Sequence, residues 1–378
     1  MIWVRRVRLF QAPVTLVLFG LVPSFLVAAF VGYTAFASSS IPVPHSSTTW
    51  PRAIDFHSLW LAGRAYVAGH SPYPRNLAGF VGDGPRQSFV YPPAAAAFAA
   101  PFAVLPYAVA KAIFVIASAL ALGLALWILR VRDWRCYGVA FASPAVLTSI
   151  SIGTLTPLMV LAAAGAWALR RTRFGAGIAI GPGVALKLFL WPLVLWLWLS
   201  GRRAAALAAA GIAVVANLLA WIPVGFDGLT EYPALLRRLA HVEGVRGYGI
   251  PALLGSNVGP ALVAVLAGLL IVSALIARRV ETGEGRLFLG GIVASILLSP
   301  VVWLHYLALL VVVLAIRSPR LNALWCLPVI LWLTFREGDQ GAGNAAWRLA
   351  LVLVVVGGTA FAGRRRNARM ELQGSLAA

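Results

Sequence analysis

Long apolar blocks recur along the whole chain, and short clusters of arginine separate them. Hydrophobic residues make up 61% of the sequence and charged residues only 11%, whereas a soluble domain carries roughly 25% charged residues. Blocks of this length and composition are typical of helices that cross a lipid bilayer. The sequence therefore predicts an all-α, polytopic transmembrane protein whose single domain extends over residues 1–378.

The arginine clusters account for the net charge of +20 without a nucleic-acid partner. Proteins that bind nucleic acids gather their basic side chains on one contiguous face, but these clusters recur at every second gap between apolar blocks. This pattern is the positive-inside signature of cytoplasmic loops. The clusters are Arg5, Arg6 and Arg8; Arg130, Arg132 and Arg135; Arg170, Arg171 and Arg173; Arg202 and Arg203; Arg278 and Arg279; Arg317 and Arg320; and Arg364 to Arg366.

The apolar blocks between these clusters predict about twelve membrane segments. The first is an uncleaved span at 14–36 with a cytoplasmic N-terminus, and the others lie at about 107–129, 136–152, 154–169, 174–186, 188–200, 204–224, 257–277, 286–302, 304–316, 321–335 and 344–362. Several are shorter than the roughly 20 residues of a full crossing. The two that flank Lys187 are either half-helices that meet inside the membrane or one long span. Only the first option keeps every arginine cluster cytoplasmic.

Three loops are predicted outside the membrane, at 37–106, 225–256 and 336–343. Loop 37–106 interrupts the apolar sequence with many polar residues. Within it, apolar residues at near-helical spacing over 54–67 predict an amphipathic helix on the outer leaflet, ended by Gly69. Flanking and internal prolines then limit residues 94–105 to a short helix that dips into the membrane.

This loop and several later segments carry short motifs. The motifs are Asp55-Phe56, Trp60, Ala62-Gly63-Arg64-Ala65, Ala68-Gly69, Ser71-Pro72-Tyr73, Val90-Tyr91-Pro92-Pro93, Ala100-Pro101-Phe102, Leu105-Pro106, Ala185-Leu186-Lys187 and Ser299-Pro300-Val301-Val302-Trp303-Leu304-His305. Together they resemble glycosyltransferase family 87, whose members are membrane enzymes of the GT-C superfamily that use polyprenyl-phosphate-linked sugars. The family often has an Asn-Gly-Gln step where this chain has Ile152-Gly153-Thr154.

The resemblance implies a hexosyltransferase of the cell envelope. Such an enzyme moves a sugar, most often mannose, from a polyprenyl-phosphate donor to a glycolipid or glycan acceptor. Transfer takes place on the extracytoplasmic face of the plasma (inner) membrane and inverts the anomeric carbon. An arabinofuranosyl donor is an alternative. So is a different class of protein, a transporter or flippase of a lipid-linked sugar.

No cofactor is implied. The sequence has no Walker motif that would hold a nucleotide and no cluster of carboxylates or histidines with metal-ligand spacing.

Asp55 is the predicted catalytic residue. An acceptor hydroxyl attacks poorly until a base removes its proton, and the resemblance gives the aspartate of this motif that role. The structural alternative is a helix N-cap, because aspartate is favoured there and Asp55 precedes an amphipathic sequence.

Lys187, His305 and Arg64 are the predicted ligands of the donor phosphate or sugar. A lysine amid apolar residues is costly in a membrane, so Lys187 suggests a counter-charge for phosphate; snorkelling or pairing with a carboxylate is the alternative. His305 follows Ser299-Pro300 at the outer end of a predicted span, where a helix end is its alternative partner. The guanidinium of Arg64 fits phosphate well, and a lipid headgroup would suit it equally.

Four further residues are predicted to contact the acceptor or to support the site: His57, Trp60, Tyr91 and Asp83. His57 is a candidate for orienting a sugar hydroxyl, with a surface histidine as the alternative. Asp83 is either a second carboxylate or part of a Gly-Asp-Gly turn. Tyr91 precedes two prolines, which fix the backbone beneath the site.

Overall fold

The computed structural model describes residues 13–42, 49–74, 80, 87–249, 252, 283–334 and 342–361. Within these ranges the chain is helical apart from one short antiparallel ribbon, in which β1 (Ser40–Pro42) pairs with β2 (Thr49–Pro51). The predicted all-α architecture is therefore confirmed. The ribbon lies at the start of the polar loop 37–106, between the first span and Asp55.

Most of the described residues belong to helices. The first part of the chain forms α1 (Pro13–Leu16), a π-helical turn (Val17–Leu21), α2 (Val22–Phe36), α3 (Ile54–Val67), α4 (Pro93–Ala103), α5 (Tyr107–Ile128), α6 (Arg135–Ala142), α7 (Pro144–Ser151), α8 (Thr156–Ala168) and α9 (Gly175–Leu186). The second part forms α10 (Trp191–Leu199), α11 (Arg203–Trp221), α12 (Tyr232–Glu243), α13 (Gly283–Leu297), α14 (Leu310–Arg317) and α15 (Ala342–Phe361). It also contains 3₁₀ segments at Leu188–Leu190, Ile222–Val224, Gly244–Arg246, Leu304–Leu309 and Ala323–Thr334.

Among the described residues, three helices are long and apolar enough to cross a bilayer. They are Val14–Phe36, Tyr107–Ile128 and Arg203–Val224. Large apolar side chains such as Phe25 and Leu120 are exposed on them, as expected of surfaces that contact lipid. The chain is therefore a membrane protein. The number of about twelve segments stays a prediction, and the predicted span 257–277 lies outside the described residues.

Prolines explain where α4 and α7 begin. The helix predicted over 54–67 is confirmed as α3, and the segment 94–105 forms the short helix α4, which starts at Pro93. Their positions relative to the membrane stay predictions. The predicted span 136–152 is not continuous, because it divides into α6 and α7 at Ser143. The residue before a proline is disfavoured in helical conformation, and Ser143 precedes Pro144 with an extended backbone.

The chain reverses direction at Lys187. Helix α9 ends at Leu186, and Lys187 has an extended backbone with φ −154° and ψ 113°. Just after α10, Arg202 Nε donates to the carbonyl oxygen of Arg170, just before α9, so α10 brings the chain back to where α9 began. The 12 residues of α9 span about 18 Å. Residues 174–200 therefore form a short helical hairpin rather than one long span.

Helices α9 and α11 run parallel and in close contact. Glycine in α9 makes this possible, because a Cβ at Gly177 would lie 2.1 Å from the carbonyl oxygen of Ala205. Small residues at helix interfaces in membranes are expected to allow such approach. Near the other end of the pair, Asn217 Nδ2 donates to the carbonyl oxygen of Ala185 at 3.2 Å, and its Oδ1 accepts from Ala94 N–H at 3.2 Å. Asn217 thus links the start of α4 to the end of α9, beside Lys187.

At the predicted cytoplasmic side, Asp133 joins three segments. It forms a salt bridge of 2.9 Å with Arg135 and accepts from the backbone N–H of Leu321 at 3.0 Å. Arg135 also donates to Thr15 Oγ1 at 3.1 Å. Burial acts to raise the pKa of Asp133, but the hydrogen bonds from Arg135 and Leu321 outweigh it and hold that pKa below its ordinary value.

Candidate active site

A cavity of about 610 Å³ lies between elements that are distant in the sequence. It has the size of a typical small-molecule site, roughly 300–1,000 Å³. Its walls come from the start of α3, the segment before α4, the end of α7, the end of α12 and the segment around the 3₁₀ turn Leu304–Leu309. The ionisable side chains in its walls, tyrosines apart, are Arg52, Asp55, Glu243, Arg246, His305 and Arg348.

Asp55 lies in the first turn of α3 and in the wall of this cavity. The N-cap of α3 is Ala53, so Asp55 does not occupy the capping position that the sequence also allowed. Its backbone N–H donates to the carbonyl oxygen of Ile152 at 2.9 Å, and the residue is only 8% exposed. The positive end of a helix dipole stabilises a carboxylate in the first turn. Asp55 therefore lies at the end of α3 where the helix dipole favours a negative charge.

The Ile152-Gly153 turn supports the beginning of α3. Gly153 has φ +70° and faces Ala53, whose own φ is +56°; both values lie in the left-handed region. A Cβ on Gly153 would lie 2.6 Å from the Cβ of Phe56. Glycine is therefore required here both for the backbone conformation and for the space that α3 occupies.

We expect Gly153→Ala to lower turnover roughly 100-fold, because a displacement of about 1 Å at a catalytic group has an effect of that size. The added methyl group pushes Phe56 away and moves the adjacent Asp55. The matched control is Gly225→Ala, which has the same backbone strain at φ +61° but nothing within 4 Å of the added Cβ. Steady-state kinetics of both folded variants is the measurement. Equal turnover in the two would contradict a positioning role for Gly153.

The structure brings Lys187 and Tyr91 together around Asp55. The Tyr91 hydroxyl donates to Asp55 Oδ2 at 3.4 Å. Lys187 Nζ lies 3.9 Å from the centre of the Tyr306 ring and 5.6 Å from that of Tyr91, positions in which an aromatic face attracts a cation. The charge of Lys187 also interacts with that of Asp55. Lys187 is thus a buried cation next to two tyrosines that line the cavity.

His305 lies in the cavity wall beside Tyr306. The residue is 4% exposed, and its ring centre is 4.8 Å from that of Tyr306. Within the described part of the chain, its Nε2 has no hydrogen-bond partner. A buried polar atom without a partner is costly, and here it borders a cavity in which a substrate would supply one.

His57, Trp60 and Arg64 are not among the residues that line the cavity. Trp60 Nε1 donates to the carbonyl oxygen of Leu105 at 3.2 Å, and Arg64 is exposed with its guanidinium 5.1 Å from the Trp60 ring centre. His57 packs edge-on against Tyr107. Burial lowers the pKa of His57 below 6.5, so its ring is neutral at pH 7. Asp83 lies outside the described residues.

The sequence interpretation missed Glu243 as a site residue. It is the last residue of α12, is only 1% exposed and lines the same cavity as Asp55. Arg246 Nη1 lies 3.6 Å from its Oε1. The signal was present in the spacing: Leu235, Leu239 and Glu243 follow one another every four residues and so share one helix face. A carboxylate on the apolar face of an amphipathic helix was the clue.

Metal ligands are not grouped in this region. Across the residues that the structure describes, no three histidine, cysteine, aspartate or glutamate side chains lie close enough to hold an ion. What the site offers is a buried carboxylate, a buried ammonium group and an imidazole, a set suited to proton transfer and to binding an anion.

These features define a polytopic helical membrane protein with an internal polar site. The model of glycosyltransferase family 87 matches residues 89–300, and the chain belongs to this family. The matched region includes Tyr91, Lys187 and Glu243, while Asp55 precedes it.

Two curated relatives are similar over part of the chain. Both are named alpha-(1->3)-arabinofuranosyltransferase and come from Mycobacterium tuberculosis, strains CDC 1551 / Oshkosh and ATCC 25618 / H37Rv. Each is 29% identical over 185 residues, which are 45% of this chain and 42% of the relative. The chain thus matches less than half the length of these relatives. No solved structure matches the chain.

Proposed function

We propose that this protein transfers a sugar from a polyprenyl-phosphate donor to a hydroxyl group of a glycolipid or glycan, on the extracytoplasmic face of the plasma membrane. Mannose is the proposed donor sugar. The observation that carries the proposal is a buried carboxylate in the cavity wall that accepts a hydrogen bond from Tyr91, together with a buried lysine whose ammonium group lies against the Tyr91 and Tyr306 rings. Sugar transfer from a lipid phosphate needs a base and a counter-charge for the leaving group.

In the proposed step, Asp55 is the general base. It accepts the proton of the acceptor hydroxyl while the oxygen of that hydroxyl attacks the anomeric carbon from the face opposite the phosphate. The new glycosidic C–O bond forms, the bond from the anomeric carbon to the phosphate oxygen breaks, and polyprenyl phosphate leaves with the electron pair. Attack from the opposite face inverts the anomeric carbon. The hydroxyl of Tyr91, which donates to Asp55 Oδ2, orients the carboxylate.

Lys187 and His305 form the proposed donor side. The charge of Lys187 interacts with that of Asp55, and a donor phosphate would give the ammonium group a second anionic partner. Negative charge grows on the phosphate as it leaves, so a nearby fixed cation stabilises the transition state more than the ground state. The unsatisfied Nε2 of His305 is the proposed contact to a phosphate oxygen or a sugar hydroxyl.

Glu243 forms the proposed acceptor side, because it lines the cavity from the predicted second outer loop, which is separate from the elements that carry Asp55 and Lys187. A carboxylate has two oxygens that accept hydrogen bonds from neighbouring hydroxyl groups of a sugar ring. The pair with Arg246 helps to orient the Glu243 side chain.

The experiment is an assay of the purified protein in lipid discs with labelled polyprenyl-phosphate-mannose and polyprenyl-phosphate-arabinofuranose, each with mannoside and glycolipid acceptors. We expect transfer from the mannose donor. Transfer from the arabinofuranose donor alone would follow the named activity of the curated relatives and would replace mannose in the proposal. Movement of labelled donor across the membrane without any glycosidic product would instead favour a flippase.

We expect Glu243→Gln to raise the KM for the acceptor about tenfold while the KM for the donor changes little. Hydrogen bonds to a charged group contribute about 1.5–3 kcal/mol, and glutamine loses the charge but keeps the shape. The matched control is Glu231→Gln, at the exposed start of the same helix, which should retain both KM values. An increase of the donor KM alone would place Glu243 on the donor side and contradict the assignment.

A further inference from the structure

A second cavity, of about 470 Å³, lies at the opposite end of α9 from Lys187. It forms where the loop between α8 and α9 meets the loop between α10 and α11. Five arginines line it: Arg170, Arg171, Arg173, Arg202 and Arg203. The other lining residues are Thr172, Gly201 and Ala204, so none of the described residues in its wall is acidic.

Two of these arginines shape the cavity. Arg202 Nε donates to the carbonyl oxygen of Arg170, which joins the two loops. Arg170 Nη1 donates to the carbonyl oxygen of Trp167 at 2.7 Å, and its guanidinium lies 3.9 Å from the centre of the Trp167 ring. Cations near the last carbonyls of a helix are favoured by the helix dipole. The walls are therefore held by contacts that do not depend on a ligand.

The other three arginines that line the cavity, Arg171, Arg173 and Arg203, are exposed. Their like charges repel one another, and that repulsion weakens when an anion binds between them. A guanidinium group presents parallel N–H donors that match two oxygens of a phosphate. A concave surface with this charge and these donors is suited to a phosphate-bearing ligand.

Exposed apolar side chains next to the cavity indicate that such a ligand belongs to the membrane. Arg203 lies 5.7 Å from the centre of the Trp198 ring, and Arg173 lies 4.9 Å from that of Phe174. Both aromatic rings are more than 40% exposed. Further along the adjoining helices, Leu207 is also exposed. Aromatic residues that separate an apolar helix surface from charged loops are typical of the headgroup level of a membrane.

We propose that this five-arginine cavity binds the phosphate of an anionic phospholipid headgroup. The lipid tails would lie along the exposed apolar surface of the adjoining helices, and the phosphate would bridge the two loops. Basic pockets between membrane helices are suited to anionic headgroups. The site is separate from the Asp55 cavity, because the length of α9, about 18 Å, lies between them. The bound headgroup would stabilise the first turns of α9 and of α11.

The test measures unfolding temperatures of the full-length protein in discs of pure phosphatidylcholine and in discs that also contain phosphatidylglycerol. A ligand that binds only the folded state raises the unfolding temperature, and we expect a rise on the order of 3 °C in the anionic discs. The double variant R171Q/R173Q should lose most of this rise. The matched control R237Q/R238Q removes two exposed arginines at the other end of the molecule, on α12, and should keep it.

Three outcomes would overturn the proposal. The first is a full rise in R171Q/R173Q, and the second is an equal loss in both double variants, which would indicate a general charge effect. In the third, inorganic pyrophosphate added to phosphatidylcholine discs would reproduce the full rise, so that the ligand would be a free phosphate. Equal unfolding temperatures of the parent and both double variants in phosphatidylcholine discs would show that the substitutions leave the fold intact.

Discussion

Replacing Asp55 by asparagine is expected to lower turnover by roughly 10²–10⁴-fold, the range that general base catalysis contributes. Asparagine has the same shape and still accepts the hydrogen bond from Tyr91, but it does not remove a proton from the acceptor hydroxyl. Donor binding should persist, because Lys187 and His305 remain. The measurement is single-turnover transfer from a labelled polyprenyl-phosphate sugar, together with equilibrium binding of the donor.

The matched control is Asp227→Asn, an exposed aspartate between α11 and α12 that does not line the cavity. It should transfer sugar at the rate of the parent protein. If Asp55→Asn were folded, bound the donor and turned over at the parent rate, Asp55 would not be the base. Glu243, the other buried carboxylate in the same cavity, would then be the next candidate.

Replacing Lys187 by glutamine is expected to raise the KM for the donor at least tenfold and to destabilise the protein. Removing one partner of a buried ion pair leaves the other charge uncompensated, at a cost of about 3–5 kcal/mol. Here Asp55, which is only 8% exposed, would be left without the nearby cation. Donor kinetics and thermal unfolding in the same discs measure the two effects separately.

Lys111→Gln controls for the loss of a buried lysine in general. Lys111 is also buried, but its ammonium group donates to the carbonyl oxygen of Ala37 at 2.8 Å and is not part of the cavity wall. It should lower stability without changing the donor KM. The double variant D55N/K187Q provides a further check, because removing both charges should restore stability relative to K187Q alone. Additive losses of stability would contradict the pairing of Asp55 with Lys187.

Much of the fold was predictable, because local sequence rules decide where helices begin and end. The apolar spacing over 54–67 and the glycine that follows predicted α3 with its observed bounds. The lysine between two short apolar blocks suggested two half-helices or one long span, and the chain reverses direction at Lys187. The division of the predicted span 136–152 into two helices was missed, although a helix is disfavoured at the residue before Pro144. A span predicted from apolar residues alone does not take into account that a proline disfavours a helical conformation of the residue before it.

The site was only partly predictable, because its contacts join distant parts of the chain. The motifs pointed to Asp55, Tyr91 and His305, and all three line the cavity. They did not point to Glu243, because its burial depends on how α12 packs against the rest of the molecule. They also grouped Arg64 with the site, although α3 leaves that side chain exposed. Residues of one short motif lie on different faces of a helix, and only tertiary packing decides which face meets the cavity.

The backbone hydrogen bond between Ile152 and Asp55 leaves the side chain at position 152 free to vary among relatives with other substrates. A backbone carbonyl, not a side chain, receives the N–H of Asp55, and the backbone conformation of the turn requires glycine at position 153. The Ile152 side chain meanwhile lines the cavity. Position 152 can therefore accept residues of other size and polarity, and so reshape the pocket for another sugar, while the base stays in place.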